Sequence, residues 1–128
     1  MDPHVLIRWL ADPKRLSREQ ARVLNDAVSR REAVAISAIT LLEIALLFSG
    51  GLLRIQLSFD EIFAQLETNP SFHILPLTTE VAKEMSFLSS VLRDPADCVI
   101  VATARVHGLR LLTSDQRIIE SNVISAVD

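Results

Sequence analysis

The 128-residue chain has one cysteine, three glycines and no excess of basic residues, and each shortage removes a class of chemistry. Cys98 stands alone inside the apolar stretch CVIVATA, so there is no disulfide within the chain and no cysteine-based zinc site. A reducing, cytoplasmic setting suits that usage. Three glycines supply no glycine-rich phosphate loop, and no nucleophile-elbow motif supports a Ser-His-Asp triad. Thirteen Lys and Arg against sixteen Asp and Glu leave a formal charge of -3, so any contact with nucleic acid must be local. A basic leader is missing too: Asp2 and Pro3 occupy its place, Arg8 interrupts the first apolar run, and export is not expected.

What the chain does have is apolar material. Hydrophobic residues make up 49% of it and the mean hydropathy is +0.31, enough for one buried core and a single domain over residues 1–128. The run 34–53 is long enough to cross a bilayer and carries Glu43 as its only acid. A mid-span acid costs about 2 to 4 kcal/mol on insertion, and Ser37, Thr40, Ser49, Gly50 and Gly51 add to the argument. A buried helix is the better reading, with no membrane role.

Periodicity predicts short helices alternating with β-branched runs. Helices are expected over 4–10, 17–31, 38–49, 58–68, 79–90 and 95–107, and strands over 34–36, 73–75, 109–112 and 123–127. Ser17 with Gln20 forms a capping box, Asp60 and Glu61 suit a first turn, and Gly50 and Gly108 stop their helices. Strands separated by helices imply an α/β fold with parallel pairing, and ligands in such sheets bind beyond the carboxyl ends of the strands.

Four acids, Asp2, Glu43, Asp97 and Asp115, sit where apolar runs meet turns or inside them. Hard divalent cations take oxygen ligands, and acids on separate elements can hold metal that clamps a phosphodiester, which points to a small nuclease. Each acid also has a plainer reading. Asp2 before Pro3 is a good helix N-cap, and Asp115 after Thr113 and Ser114 suits a cap on the turn toward Ile118 and Ile119. Asp94 caps the helix opened by Pro95, whereas Asp97 shares a face with Ile100 and Val101. Glu43 lies among Ile39, Leu46 and Leu47, where an unpartnered carboxylate is costly, so either a metal or an arginine such as Arg8 or Arg105 must meet it. His4, His73 and His107 lack metal or general-base spacing, and Arg8, Arg54 and Arg93 are weak candidates for phosphate contacts.

The segments DPHVLIRWL with ADPKRLS, ISAITLLEIALL, RDPADCVIVATA and LLTSD, in this order, resemble the PIN-domain ribonucleases, specifically the VapC-type toxins of toxin–antitoxin pairs. The resemblance runs along nearly the whole chain. It implies a PIN-like three-layer domain, a parallel sheet flanked by helices, with an acidic pocket for Mg²⁺ or Mn²⁺. It also implies cleavage of RNA, a homodimer and a cognate antitoxin. By motif position Asp2, Glu43, Asp97 and Asp115 are the metal-binding and catalytic acids, and Thr113 supports them through its hydroxyl. Two departures stand out: Pro3 where the family carries Thr or Ser, and Met1 alone where it carries a first strand. A truncated first strand would leave its neighbours with unpaired backbone groups. The alternatives are a truncated or inactive homologue that binds an antitoxin without cutting, and a receiver-like phosphotransfer domain, against which the motif order argues.

Overall fold

The computed structural model describes residues 1–51 and 57–128. In chain order the elements are α1 (Pro3–Ala11), a 3₁₀ turn (Pro13–Arg15), α2 (Arg18–Ser29), β1 (Val34–Ser37), α3 (Ala38–Ser49), α4 (Phe59–Thr68), β2 (Phe72–Leu75), α5 (Thr79–Leu88), α6 (Pro95–Val106), β3 (Leu111–Leu112), α7 (Gln116–Ser121) and β4 (Ala126–Val127). The helix starts are set by local chemistry. Ser17 and Ser58 each form a capping box, with Gln20 and Glu61, and Asp2, Asp94 and Asp115 each accept backbone N–H bonds at the N-termini of α1, α6 and α7.

The strands pair in parallel, β1 with β2 and β3 with β4, as two separate two-stranded sheets. The break falls where the sequence has Met1 alone in the place of a first strand. Among the described residues Met1 and Asp2 run between the two pairs: the Met1 ammonium donates to the Ala35 carbonyl at 3.4 Å, and the Asp2 N–H donates to the Leu112 carbonyl at 2.9 Å. Two residues supply too few backbone groups to knit the pairs together, and a cavity of about 200 Å³ lies beside them, lined by Met1, Val34, Ala35, Leu111 and Leu112 among others. The join nevertheless fixes Asp2 at the carboxyl end of β3, where Leu112 stands three residues before Asp115.

Helices cover both faces of the strands. Leu112 and Val127 enter a core with Val5, Leu6, Leu24, Ile36, Ile44 and Ile62, while Leu111 enters a second core with Val81, Leu88, Val101 and Ile118. Neighbouring strand residues facing opposite cores is what the two-residue period of a strand requires of a middle layer. The fold is thus three-layered and mixed α/β.

Several expectations change in extent: the strand expected over 109–112 narrows to Leu111–Leu112, and the helix expected over 79–90 ends at Leu88. The last strand narrows to Ala126–Val127, and the segment after Asp115 is the helix α7 rather than a turn. The apolar helix α3 is not buried all round, because Leu42 and Leu46 are 54% and 59% exposed. No helix among the described residues is long and apolar enough to cross a membrane, and the run 34–53 is divided between β1 and α3 before the described part ends at Gly51. Arg54 lies outside the described residues.

Candidate metal centre

The four acids arrive from four elements: Asp2 as the cap of α1, Glu43 from the middle of α3, Asp97 from the first turn of α6, and Asp115 as the cap of α7. The structure brings Asp2, Glu43 and Asp97 within electrostatic range of one another, and Asp115 within range of Asp97. Burial, then the charges of Asp97, Asp94 and Asp2, push the Glu43 carboxyl up to about 7. Burial, then Asp94 and Asp115, push Asp97 up to about 6. Like charges crowded in a partly desolvated pocket raise carboxyl pKa values in this way.

The outer two acids behave differently because they have partners. Burial pushes Asp2 upward, but hydrogen bonds from His4 and Thr113 hold it below the usual carboxylate range. The His4 backbone N–H donates to Asp2 Oδ1 at 2.8 Å and Thr113 Oγ1 donates to Asp2 Oδ2 at 3.1 Å. In return, the bond to Asp2 raises the His4 imidazole. Asp115 is likewise lowered, by the Arg117 guanidinium, which sits 2.7 Å from Asp115 Oδ2 and 3.5 Å from Asp97 Oδ2.

Glu43 has no such partner. Its Oε1 is buried without a hydrogen-bond donor among the described residues, as is Thr40 Oγ1 one turn earlier on the same helix. Among the described residues neither arginine named for Glu43 meets it: Arg8 donates to the Ser114 hydroxyl, and Arg105 to Glu84 and the Val123 carbonyl. An orphaned carboxylate oxygen beside further carboxylates suits a hard divalent cation, which compensates several charges at once. Among the described residues, however, no three acidic, histidine or cysteine side chains stand close enough to hold one ion between them. Arg117 engages Asp97 and Asp115, and His4 and Thr113 engage Asp2, so the carboxylates are turned toward other donors. The donor set fits a metal; its present arrangement is not a closed cage.

Sequence reasoning passed over three participants. Asp94 was read as a cap only; it is one, yet its charge also acts on Glu43 and Asp97. The Asp94 and Asp97 spacing of three residues within one helical turn was the available signal. Arg117, two residues past Asp115, and His4, two past Asp2, have no motif to mark them. His73, His107 and Arg93 are exposed.

The model of the PIN domain family matches residues 1–122. The chain belongs to the PIN-domain family. It is 34% identical over 119 residues to Ribonuclease VapC22 of Mycobacterium tuberculosis, covering 92% of this chain and 87% of that one. Among solved structures, FitAcB from Neisseria gonorrhoeae superposes with a TM-score of 0.67 at 24% identity, over 99% of this chain and 94% of that one. A toxin–antitoxin complex from Klebsiella pneumoniae gives a TM-score of 0.65 at 20% identity, over 99% and 93%. VapBC2 from Rickettsia felis, bound to a promoter DNA fragment, gives 0.68 at 13% identity, over 98% and 93%. These three likenesses speak for the PIN fold, split sheet notwithstanding.

Proposed function

We propose that this PIN-domain chain is a divalent-metal-dependent endoribonuclease, the toxin of a type II toxin–antitoxin pair, and that Asp2, Glu43, Asp97 and Asp115 form its catalytic metal site. The observation that carries the reading is the orphaned Glu43 carboxylate among Asp2, Asp94 and Asp97, in a chain 34% identical to a ribonuclease. When bound, Mg²⁺ or Mn²⁺ supplies an activated water and neutralises charge on the scissile phosphate. The protein's own part is to hold the acids. Glu43 and Asp97 are its principal ligands, because both are crowded carboxyls that release protons near neutrality and gain most from a cation. Asp2 enters already ionised and oriented by Thr113, and Asp115 completes the site once Arg117 moves aside.

The proposed partners are an RNA substrate, a cognate antitoxin protein and a second copy of the chain, in the cytoplasm where RNA and antitoxin are made. The solved relatives from Klebsiella pneumoniae and Rickettsia felis are toxin–antitoxin or VapBC assemblies, which supports the antitoxin. Incubation of the folded chain with mixed RNA and Mn²⁺, beside EDTA and Glu43→Gln controls, tests the reading. Cleavage that requires both metal and Glu43 is expected, and metal-independent cleavage would remove the mechanism.

A second reading draws on the unassembled ligands and the split sheet: a non-cutting homologue that binds an antitoxin. Capture of a small partner by a folded sample that cuts no RNA with any divalent metal would favour it.

A further inference from the structure

Beside the acids lies a pocket of about 220 Å³ lined by Asp2, His4, Arg8, Ser114 and Asp115. Arg8 is half-buried there, one turn after His4 on α1. Among the described residues it forms no ion pair, although two carboxylates line the same pocket. Arg117, by contrast, is already neutralised by Asp115 and Asp97.

The position of Arg8 is built from the core outward. Gln20 is fully buried, and its Nε2 donates to the Val127 carbonyl and to Ser114 Oγ, each at 3.2 Å, while its Oε1 accepts the Ser17 N–H. Ser114 Oγ then accepts Arg8 Nη1 at 3.3 Å. The dipole of α1 favours a cation in its last turn but does not require this anchoring from a buried amide. A guanidinium has five N–H donors in a planar fork, and one of them is engaged with Ser114, which leaves the others for an anion. The matching anion beside a phosphodiesterase site is a phosphate of the substrate strand.

We infer that Arg8, held by Ser114 and Gln20, binds a backbone phosphate of the RNA next to the one that is cut. The inference rests on the nuclease reading and assigns that site its phosphate-positioning cation. Such a contact adds affinity without sequence preference and releases counterions.

Binding of a short mixed-sequence single-stranded RNA, followed by fluorescence anisotropy in Ca²⁺ across a salt series, tests it, with cleavage in Mn²⁺ measured in parallel. For Arg8→Gln the slope of log affinity against log salt should become shallower by about 0.7, the value of one single-strand phosphate contact. Affinity should fall severalfold for every sequence tried. Arg8→Lys, which keeps the charge, should restore the slope while recovering only part of the affinity. Thermal melting establishes that both variants are folded, which a half-exposed position permits. A wild type that binds and cuts RNA while Arg8→Gln keeps the full slope overturns the inference alone. A wild type that neither binds nor cuts RNA overturns the nuclease reading and this inference with it.

Discussion

Thr113 and Asp2 are 111 residues apart in sequence and joined by a buried 3.1 Å hydrogen bond from the threonine hydroxyl to the carboxylate. The same hydroxyl accepts the Asp115 N–H at 3.0 Å, so one fully buried atom orients two of the four acids. Outer partners of metal ligands cost about 10- to 100-fold in metal affinity or activity when removed. Thr113→Val should therefore raise the Mn²⁺ concentration needed for half-maximal cleavage by a factor in that range. Thr113→Ser, which keeps the hydroxyl, should stay near wild type; equal losses in both variants would point to packing instead.

Glu43 links the site to stability. Its folded pKa, about 7, lies above the ordinary 4.5, so between those values the folded state binds the proton that the unfolded state has released. Stability of the metal-free protein then falls as pH rises through that window, and Asp97, raised to about 6, adds the same sign. Melting curves from pH 4.5 to above 7 should show the decline, and Glu43→Gln should flatten it and melt higher than wild type at its alkaline end. Mn²⁺ at a hundred times its dissociation constant would stabilise wild type by about 2.7 kcal/mol, and Glu43→Gln should lose most of that. A metal-induced shift unchanged in Glu43→Gln would exclude it as a ligand.

Phe87 on α5 is 76% exposed, the largest exposure among the big apolar side chains of the described residues, and Val91 beyond the helix is 49% exposed. Exposed aromatics of this kind are characteristic of protein interfaces. If the chain pairs through this face, Phe87→Glu should convert a dimer to a monomer in sedimentation while leaving the melting temperature of the subunit nearly unchanged. Sedimentation identical to wild type would locate the contact elsewhere.

What was legible in the sequence was local. The capping box at Ser17, the first-turn acids Asp60 and Glu61 and the Asp94–Pro95 start lie within a turn of the helices they open, and each helix begins where they place it. The apolar setting of Glu43 was legible for the same reason, from neighbours three and four residues away. What escaped depends on partners far along the chain. Gln20 finds Ser114 and Val127 at separations of 94 and 107 residues, and Arg117 finds Asp97 at 20. The helix α7 has six residues and buries only Ile118, too short for an apolar period to register. The short β3 and β4 exist through mutual pairing, which no window of sequence reports.

Arg117 bridges Asp97 and Asp115 with a side chain that is 73% exposed, so its attraction is screened and readily exchanged. A divalent ion and this guanidinium compete for the same oxygens. Removing the competitor should favour the ion, and the effect should be largest at low salt, where the guanidinium holds best. Arg117→Ala should thus lower the Mn²⁺ concentration that half-saturates the protein severalfold, read by calorimetry without RNA, with the difference shrinking as salt is added. It should also relieve the depression of the Asp115 pKa in the metal-free form, since the hydrogen bond from Arg117 is its main cause. Weaker Mn²⁺ binding in Arg117→Ala would mean that the arginine orients the carboxylates for the metal, and the competition argument would fail.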